Sequence, residues 1–364
     1  MKNTTLSPAD LEQFGKELDA IREAEVADLG EKDARYIRRV IKAQRYLALS
    51  GRTLLWFGFM PPVAIVTWPL GALALGVAKI LENMEIGHNV MHGQYDWMGD
   101  ARLHSQTYEW DTVCDGDQWR HSHNYMHHTY TNVLEKDRDL GYAILRMDDR
   151  QEWRPMFFFQ PVWNALLASN FDAGVGLHDV EFEKYWKKEI DTQELLQRLK
   201  PFAKKASRVW FKDYILFPLL SGPNFLGVMA GNFVANLIRN FWAYAIIFCG
   251  HFPEGTEVFS YTEDQLKGET RGQWYLRQIR GSANITGGKL FHILSGNLSH
   301  QVEHHLYPDV PAHRYANMAP KVQAVCEKYG VAYNTGGFFK QLFSVQKKVF
   351  RYALPSRRLQ AAAA

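Results

Sequence analysis

The sequence predicts an all-α integral membrane protein: four transmembrane helices in two hairpins, capped by cytoplasmic helices. Three observations carry that expectation. Apolar residues are gathered into two long blocks, although mean hydropathy over the whole chain is only −0.31. Lysine and arginine flank the blocks but avoid the short turns inside them. Eight of the 14 histidines fall in four short groups at the ends of the blocks or in the polar stretches beyond them.

Residues 1–46 form a polar arm. Ser7-Pro8-Ala9-Asp10 is a helix start, with Ser7 as cap, Pro8 in the first turn and Asp10 near the positive helix end, and Gly30 is the expected stop. A second helix from about Asp33 sets Tyr36, Ile37, Val40 and Ile41 on one side among arginines. That pattern suits an interfacial helix on an anionic membrane as well as it suits a solvated one. No transit or cleavable signal pattern precedes the first block, so direct insertion is expected. Between Arg52 and Lys79 there is no charged side chain. Widened to 47–86, this block supplies about 40 residues, enough for two spans of about 20. Pro61-Pro62 and Trp68-Pro69-Leu70-Gly71 are possible breaks, and the second is the better hairpin turn. The block 213–249 repeats the pattern, with a turn near Ser221-Gly222-Pro223-Asn224. The expected spans are therefore 47–68, 70–90, 213–230 and 232–251, within a membrane domain of 47–320 that is followed by a cytoplasmic C-terminal tail, 321–364. The final alanines, 361–364, read as low-complexity end matter.

Charge orients the hairpins. Arg35, Arg38, Arg39, Lys42 and Arg45 precede the first block, and Lys184, Lys187, Lys188, Lys200, Lys204 and Lys205 precede the second. By the positive-inside rule the termini and the central region are cytoplasmic. Arg239, mid-way along the fourth span, is the exception, because an unpaired charge at that depth is expensive. Three scattered cysteines, Cys114, Cys249 and Cys326, fit a reducing compartment and no disulfide framework.

The histidine groups are His88 and His92 in HNVMH, His123, His127 and His128 in HNYMHH, His251 in GHFPEG, and His304 and His305 in QVEHH. Histidines four apart lie on one face of a helix, about 6 Å apart along its axis, and can aim at one centre. Adjacent histidines diverge by about 100° and can serve two centres or two faces of one. Neutral imidazole suits iron, copper, zinc and nickel, and a set without cysteine disfavours a structural zinc module. Two redox metals, iron first, are the expectation. HNVMH lacks the glutamate of a zinc protease helix. Glu85-Ile86-Gly87-His88 fits one ExxH element of a carboxylate di-iron bundle, but the chain lacks the second.

In their order around two hydrophobic hairpins, HNVMH, HNYMHH and QVEHHLYP resemble the three histidine boxes of the membrane fatty acid desaturases. The resemblance covers about residues 50–320. NLSHQVEHHLYPDVPAHRYA is its most specific stretch, and the QxxHH form is similar to the acyl-lipid and front-end branch. Thr131-Asn132 and Asp137-Arg138-Asp139 resemble bacterial members. The resemblance implies a di-iron centre held by His88, His92, His123, His127, His128, His304 and His305, with His251 as the further histidine that ends span four. Gln301 stands where some members begin the third box with histidine, and it can ligate through its amide oxygen or through water. The cytoplasmic cap would carry this centre beside a bacterial inner membrane.

The implied reaction is O2-dependent desaturation of a saturated long-chain acyl group in an apolar tunnel whose depth sets the carbon attacked. Acyl-CoA cut near carbon nine is favoured, with an acyl-lipid or front-end substrate, or a hydroxylase or ketolase on the same scaffold, as alternatives. A non-catalytic membrane metal-binding protein is the reading from another class. Basic residues in 184–212 are candidates for the phosphates of coenzyme A or for anionic headgroups. With no haem, flavin or ferredoxin motif in the chain, electrons are expected from a separate ferredoxin or rubredoxin with its reductase. Membrane lipids are the other expected partner, and nucleic acid is not one. Glu85, Asp137 and Asp139 are candidates to accept imidazole hydrogens, with Asn89, Asn124 and Asn297 behind them. His104, His178 and His313 read as surface residues, and His121, His292 and His300 are left out of the ligand set. Trp153, Phe157, Phe158, Phe159 and Trp163 read as core or interfacial belt.

Overall fold

The computed structural model describes residues 6–355 except Phe59 and Pro61, so half of the Pro61-Pro62 break and the 361–364 tail lie outside the described residues. It is mostly helical, and its sheet is a parallel pair of three-residue strands, β1 (Asn284–Thr286) and β2 (Thr335–Gly337).

Helix α1 (Pro8–Ala27) starts as its sequence dictates: Ser7 accepts a hydrogen bond from the Asp10 amide at 3.1 Å. Gly30 caps the next helix, α2 (Glu31–Phe57), which runs unbroken for 27 residues from the polar arm into the first apolar block. The expected boundary at residue 46 therefore falls inside a helix. The chain reverses between α2 and Ala64, and α3 (Ala64–Met91) returns with Pro69 inside it, so the expected turn at 68–71 is not there. A membrane helix tolerates such a proline because neighbouring groups satisfy the freed backbone. Glycines let α2 and α3 touch. A Cβ on Gly51 would lie 2.7 Å from the Leu75 amide nitrogen, and one on Gly71 would lie 2.9 Å from that of Leu55. Small residues permit this approach where lipid gives helices little reason to associate.

The second block behaves similarly. Helix α7 (Thr192–Phe211) is prolonged through Lys212–Leu216 and Phe217–Leu220, the turn falls at Gly222–Asn224 as expected, and α8 (Phe225–His251) is continuous where the sequence suggested a break near 231. Two helical stretches, Ala64–Met91 and Gly222–His251, are long and apolar enough to cross a membrane. They pack on each other, with Gly76 against Ile238.

Arg239 has its answer here. It is buried and paired with Asp172 of α6 (Phe171–His178) at 2.5 Å, so no lone charge is placed in the apolar layer. Lys79 and Asp213 form a second buried pair at 2.7 Å. Further helices among the described residues include α4 (116–130), α5 (Gln160–Ser169), α9 (Arg271–Gly281), α10 (Gln301–Leu306), α11 (Tyr315–Lys328) and α12 (Phe338–Tyr352). The expected boundary at 320 cuts α11. The segment expected as a tail is packed structure, with Val322, Cys326, Val345 and Val349 fully buried.

The arm is fastened to the region of the third histidine group. Arg314 bonds Asp33 through Nε (2.7 Å) and a terminal nitrogen (2.8 Å) and reaches Glu25 and Asp28 at 3.0 Å. His313 stacks on Tyr36 and pairs with Asp33 at 2.9 Å, so it is not a surface residue. All three cysteines are free and buried.

Candidate metal centre

The four histidine groups meet at the ends of α3 and α8. Box one lies where α3 loosens into a π-helical stretch, Leu81–His88, before its last turn. Box two lies on α4, which also carries a π-helical stretch, Arg120–His127. The wider turn redirects the residues on its C-terminal side, and such bulges recur at functional sites. Box three is α10, seated against the end of α8: a Cβ on Gly250 would lie 2.9 Å from the Gln301 side chain.

The imidazoles form two adjoining clusters. His88, His92, His123 and His304 make the first, and His127, His251 and His305 the second; within each, the facing ring atoms lie within 4.8 Å of one another. His128 stands between them, stacked on His305 at 4.5 Å and edge-on to His92 (4.7 Å) and His304 (4.8 Å). The Nε2 atoms of His88, His92, His123 and His127, the Nδ1 of His251 and both ring nitrogens of His128 and His304 are buried without a hydrogen-bond partner among the described residues. Native proteins rarely leave so many buried polar atoms unmatched. Nitrogens with free lone pairs converging on shared points are what a metal site requires.

Electrostatics agree with the geometry. Burial and neighbouring imidazoles hold His92, His123, His128, His304 and His305 well below the ordinary histidine range, so they are neutral donors at pH 7. His127 is the exception. Burial pushes it down, but Asp137 and then Asp139 more than reverse this and bring it up to about 9.

Several partners fix ring orientation. His127 Nδ1 lies 3.0 Å from Asp137, whose carboxylate also accepts from the backbone amides of Asn132 (2.7 Å) and Asp139 (3.0 Å). His305 Nδ1 faces Gln278 Oε1 at 3.0 Å, which turns Nε2 toward His251. The Gln301 amide donates to His251 Nε2 at 3.0 Å, and its oxygen is buried without a partner.

A fatty acid desaturase family profile matches residues 64–337. The NADPH-dependent stearoyl-CoA 9-desaturase of Mycobacterium tuberculosis is 48% identical over 359 residues, covering 98% of this chain and 83% of that protein. The sn-1 linoleoyl-lipid 6-desaturase of Synechocystis is 29% identical over 78% of this chain and 80% of its own length. This chain belongs to the fatty acid desaturase family. The desaturase is thus an oxidoreductase, and membrane association comes with the family.

Beside the first cluster of the desaturase lies a narrow cavity. His88, His123, Trp119, Asp139, His178, Phe171, Ala243 and Ile247 are among the residues that line it. Trp119 stacks on His123 at 4.6 Å and meets His88 and His92 edge-on.

Among the expected supporting carboxylates, Asp137 meets its imidazole, and Asp139 approaches His123 Nδ1 at a longer 3.4 Å. Glu85 does not touch a histidine. It accepts from the Tyr36 hydroxyl (2.6 Å) and Asn297 (3.0 Å), tying α2 to the stretch before box three. The role expected of Glu85 falls instead to Asn89, whose Oδ1 lies 3.1 Å from His88 Nδ1. Asn124 bonds the Met91 carbonyl at 2.8 Å and holds boxes one and two together. His178 is buried against Arg138 and Asp139 on the cavity wall, which corrects its expected surface position. His292 and His300 stack on each other outside both clusters. Gln278 escaped the sequence reading because nothing in residue spacing links it to His305. Trp119 was within reach, four residues before His123 on the same helical face.

Proposed function

We propose that the desaturase introduces a cis double bond near carbon nine of a saturated long-chain acyl-CoA, using O2 and two irons. The observation that carries this is the pair of buried imidazole clusters with unmatched nitrogens beside a cavity lined in part by aromatic and aliphatic side chains. His88, His92, His123 and His304 would hold one iron and His127, His251 and His305 the other, with His128 between them and Gln301 reaching the second directly or through water. Iron with O2 supplies the power to break unactivated C–H bonds.

The chain's own residues do the rest. Asp137 and Gln278 fix the tautomers of His127 and His305 so that Nε2 points inward. Trp119 and Phe171 narrow the cavity, keep water out and hold one stretch of methylenes near the first cluster. Ala243 and Ile247 line that cavity from α8, so their bulk would limit the room open to the acyl chain. The acyl-CoA substrate and position nine are favoured by the name of the mycobacterial relative.

We further propose four spans, formed by α2, α3, the end of α7 with its prolongation, and α8. Both termini and the metal centre face the cytoplasm of a bacterial inner membrane. The reductant is delivered by a separate protein, a ferredoxin or rubredoxin fed by a reductase. The NADPH in the relative's name fits such a relay, since two three-residue strands are too little sheet for a dinucleotide-binding unit among the described residues.

The test is expression in a host of known lipid composition, with mass analysis and location of the new double bond. A product two hydrogens lighter, unsaturated at carbon nine and found first in the acyl-CoA pool, supports the reading. A gain of one oxygen points to hydroxylation, and a product found first in intact lipids points to the acyl-lipid form; either outcome overturns the proposal. Ala243→Phe should shift product toward shorter chains.

A further inference from the structure

We infer that α12 and the 155–169 segment lie in the plane of the membrane surface and seat the metal-bearing half of the desaturase on anionic phospholipid. The inference rests on the membrane reading given above. Helix α12 has two faces. Val345, Val349 and Tyr352 are buried, while Phe339, Phe343 and Phe350 are 81%, 73% and 62% exposed. Their spacing of four and seven places the exposed three on one stripe. Beside it, Phe158, Phe159, Val162 and Leu166 are exposed on and before α5. The two segments form one body: Gln160 donates to the Val349 carbonyl at 2.5 Å, Asn164 to Gln346 at 3.0 Å and Trp153 to the Ala353 carbonyl at 2.9 Å. Single exposed apolar residues are ordinary, but a contiguous patch of this extent marks an interaction surface.

Continuity says what covers it. An apolar groove between α5, α8 and α12, lined by Ala165, Ile238, Phe241, Trp242, Phe338 and Leu342, joins these faces to α8. Helix α8 is one of the two stretches apolar enough to cross a membrane, and Phe233 and Phe241 are exposed on it. Phe338 and Leu342 of α12 face Ile238 and Phe241 of α8 across that groove. Lys340, Lys347 and Arg351 are exposed on α12 as well, giving it the cationic flank that an interfacial helix presents to anionic lipid.

Site-directed fluorescence quenching on the full-length protein in lipid nanodiscs tests this. The native cysteines are buried, so a thiol-reactive fluorophore can be placed at Phe343→Cys, at Phe350→Cys, at Leu73→Cys, exposed nine residues into α3, as the spanning control, and at Lys328→Cys on α11 as the aqueous control. Lipids brominated near the headgroup should quench positions 343 and 350 and leave 328 bright, and deeply brominated lipids should quench 73. Replacing Lys340, Lys347 and Arg351 together with glutamate should cut the quenching at 343 by about half in discs rich in phosphatidylglycerol, because the helix loses its attraction to the anionic surface. Quenching at 73 without quenching at 343 or 350 overturns the inference alone, as does quenching replaced by concentration-dependent crosslinking between copies. Absence of quenching at 73 overturns the membrane reading beneath it. Should a phenylalanine variant fail to fold, Lys340→Cys and Lys347→Cys report on the same helix.

Discussion

The two histidine clusters share a wall but are held in place differently. In the second, two rings have close partners on the outer side, His127 with Asp137 and His305 with Gln278. In the first, Asn89 steadies His88, Asp139 reaches His123 only at 3.4 Å, and neither ring nitrogen of His304 has a hydrogen-bond partner among the described residues. The first cluster is also the one that borders the cavity. The contrast teaches a division of labour, in which one half of the centre is fixed by the protein while the half that meets substrate is held chiefly by what it binds.

The largest effect expected is from His92→Ala or His304→Ala. Each should abolish desaturation and strip most of the bound iron, measured by product analysis and metal content on the same sample. Full activity in either variant would sink the ligand assignment. Next comes Asp137→Asn, which removes the strongest outer support of the second cluster. A loss of about 10- to 100-fold in metal affinity is expected, with a smaller loss for Gln278→Ala. If both leave affinity unchanged, the asymmetry between clusters has no functional weight.

Protonation sharpens the same contrast. His127 has a folded value of about 9 in the metal-free protein, above the ordinary 6.5. Its proton therefore stabilises the metal-free fold fully below about pH 6.5, and that contribution is lost as pH rises through about 9. Metal must displace this proton, so uptake at the second cluster should release one proton and strengthen about tenfold per pH unit up to about pH 9. His92, His123 and His304 are already neutral and should release none. Calorimetry in buffers of different ionisation enthalpy counts the protons, and Asp137→Asn should abolish the release. The smallest effect is reserved for His178→Ala. Its place on the cavity wall predicts a few-fold loss of activity with iron content unchanged, where a surface position would have predicted no change in either.

Much of this was legible in the sequence because it depends on short-range spacing. Histidines four apart or adjacent announce shared and divided faces, and all eight reach the two clusters or the space between them. The turn at 222–224 was equally plain from its Gly-Pro-Asn composition. The turn between α2 and α3 was misplaced for a physical reason. A hydropathy window cannot see that α2 begins in the polar arm at Glu31 and carries its helix into the apolar block, so that the reversal comes before Ala64 and α3 takes the rest of the block as one stretch apolar enough to cross a membrane. What needed the fold were pairings across long separations: Arg239 with Asp172, His305 with Gln278, and Glu85 with Tyr36 rather than with an imidazole. Such partners leave no periodic trace.

The π-helical stretches at Leu81–His88 and Arg120–His127 carry a further consequence. Each is equivalent to one residue slipped into an α-helix, which turns everything downstream by about 100°. Trimming a single residue from 81–87 would leave composition, hydropathy and helix content almost untouched, yet would swing His88 and His92 away from the other boxes. Relatives that differ by one residue at this point can therefore share every histidine and still aim them at different places, so counting boxes in an alignment says less about competence than counting the residues just before them.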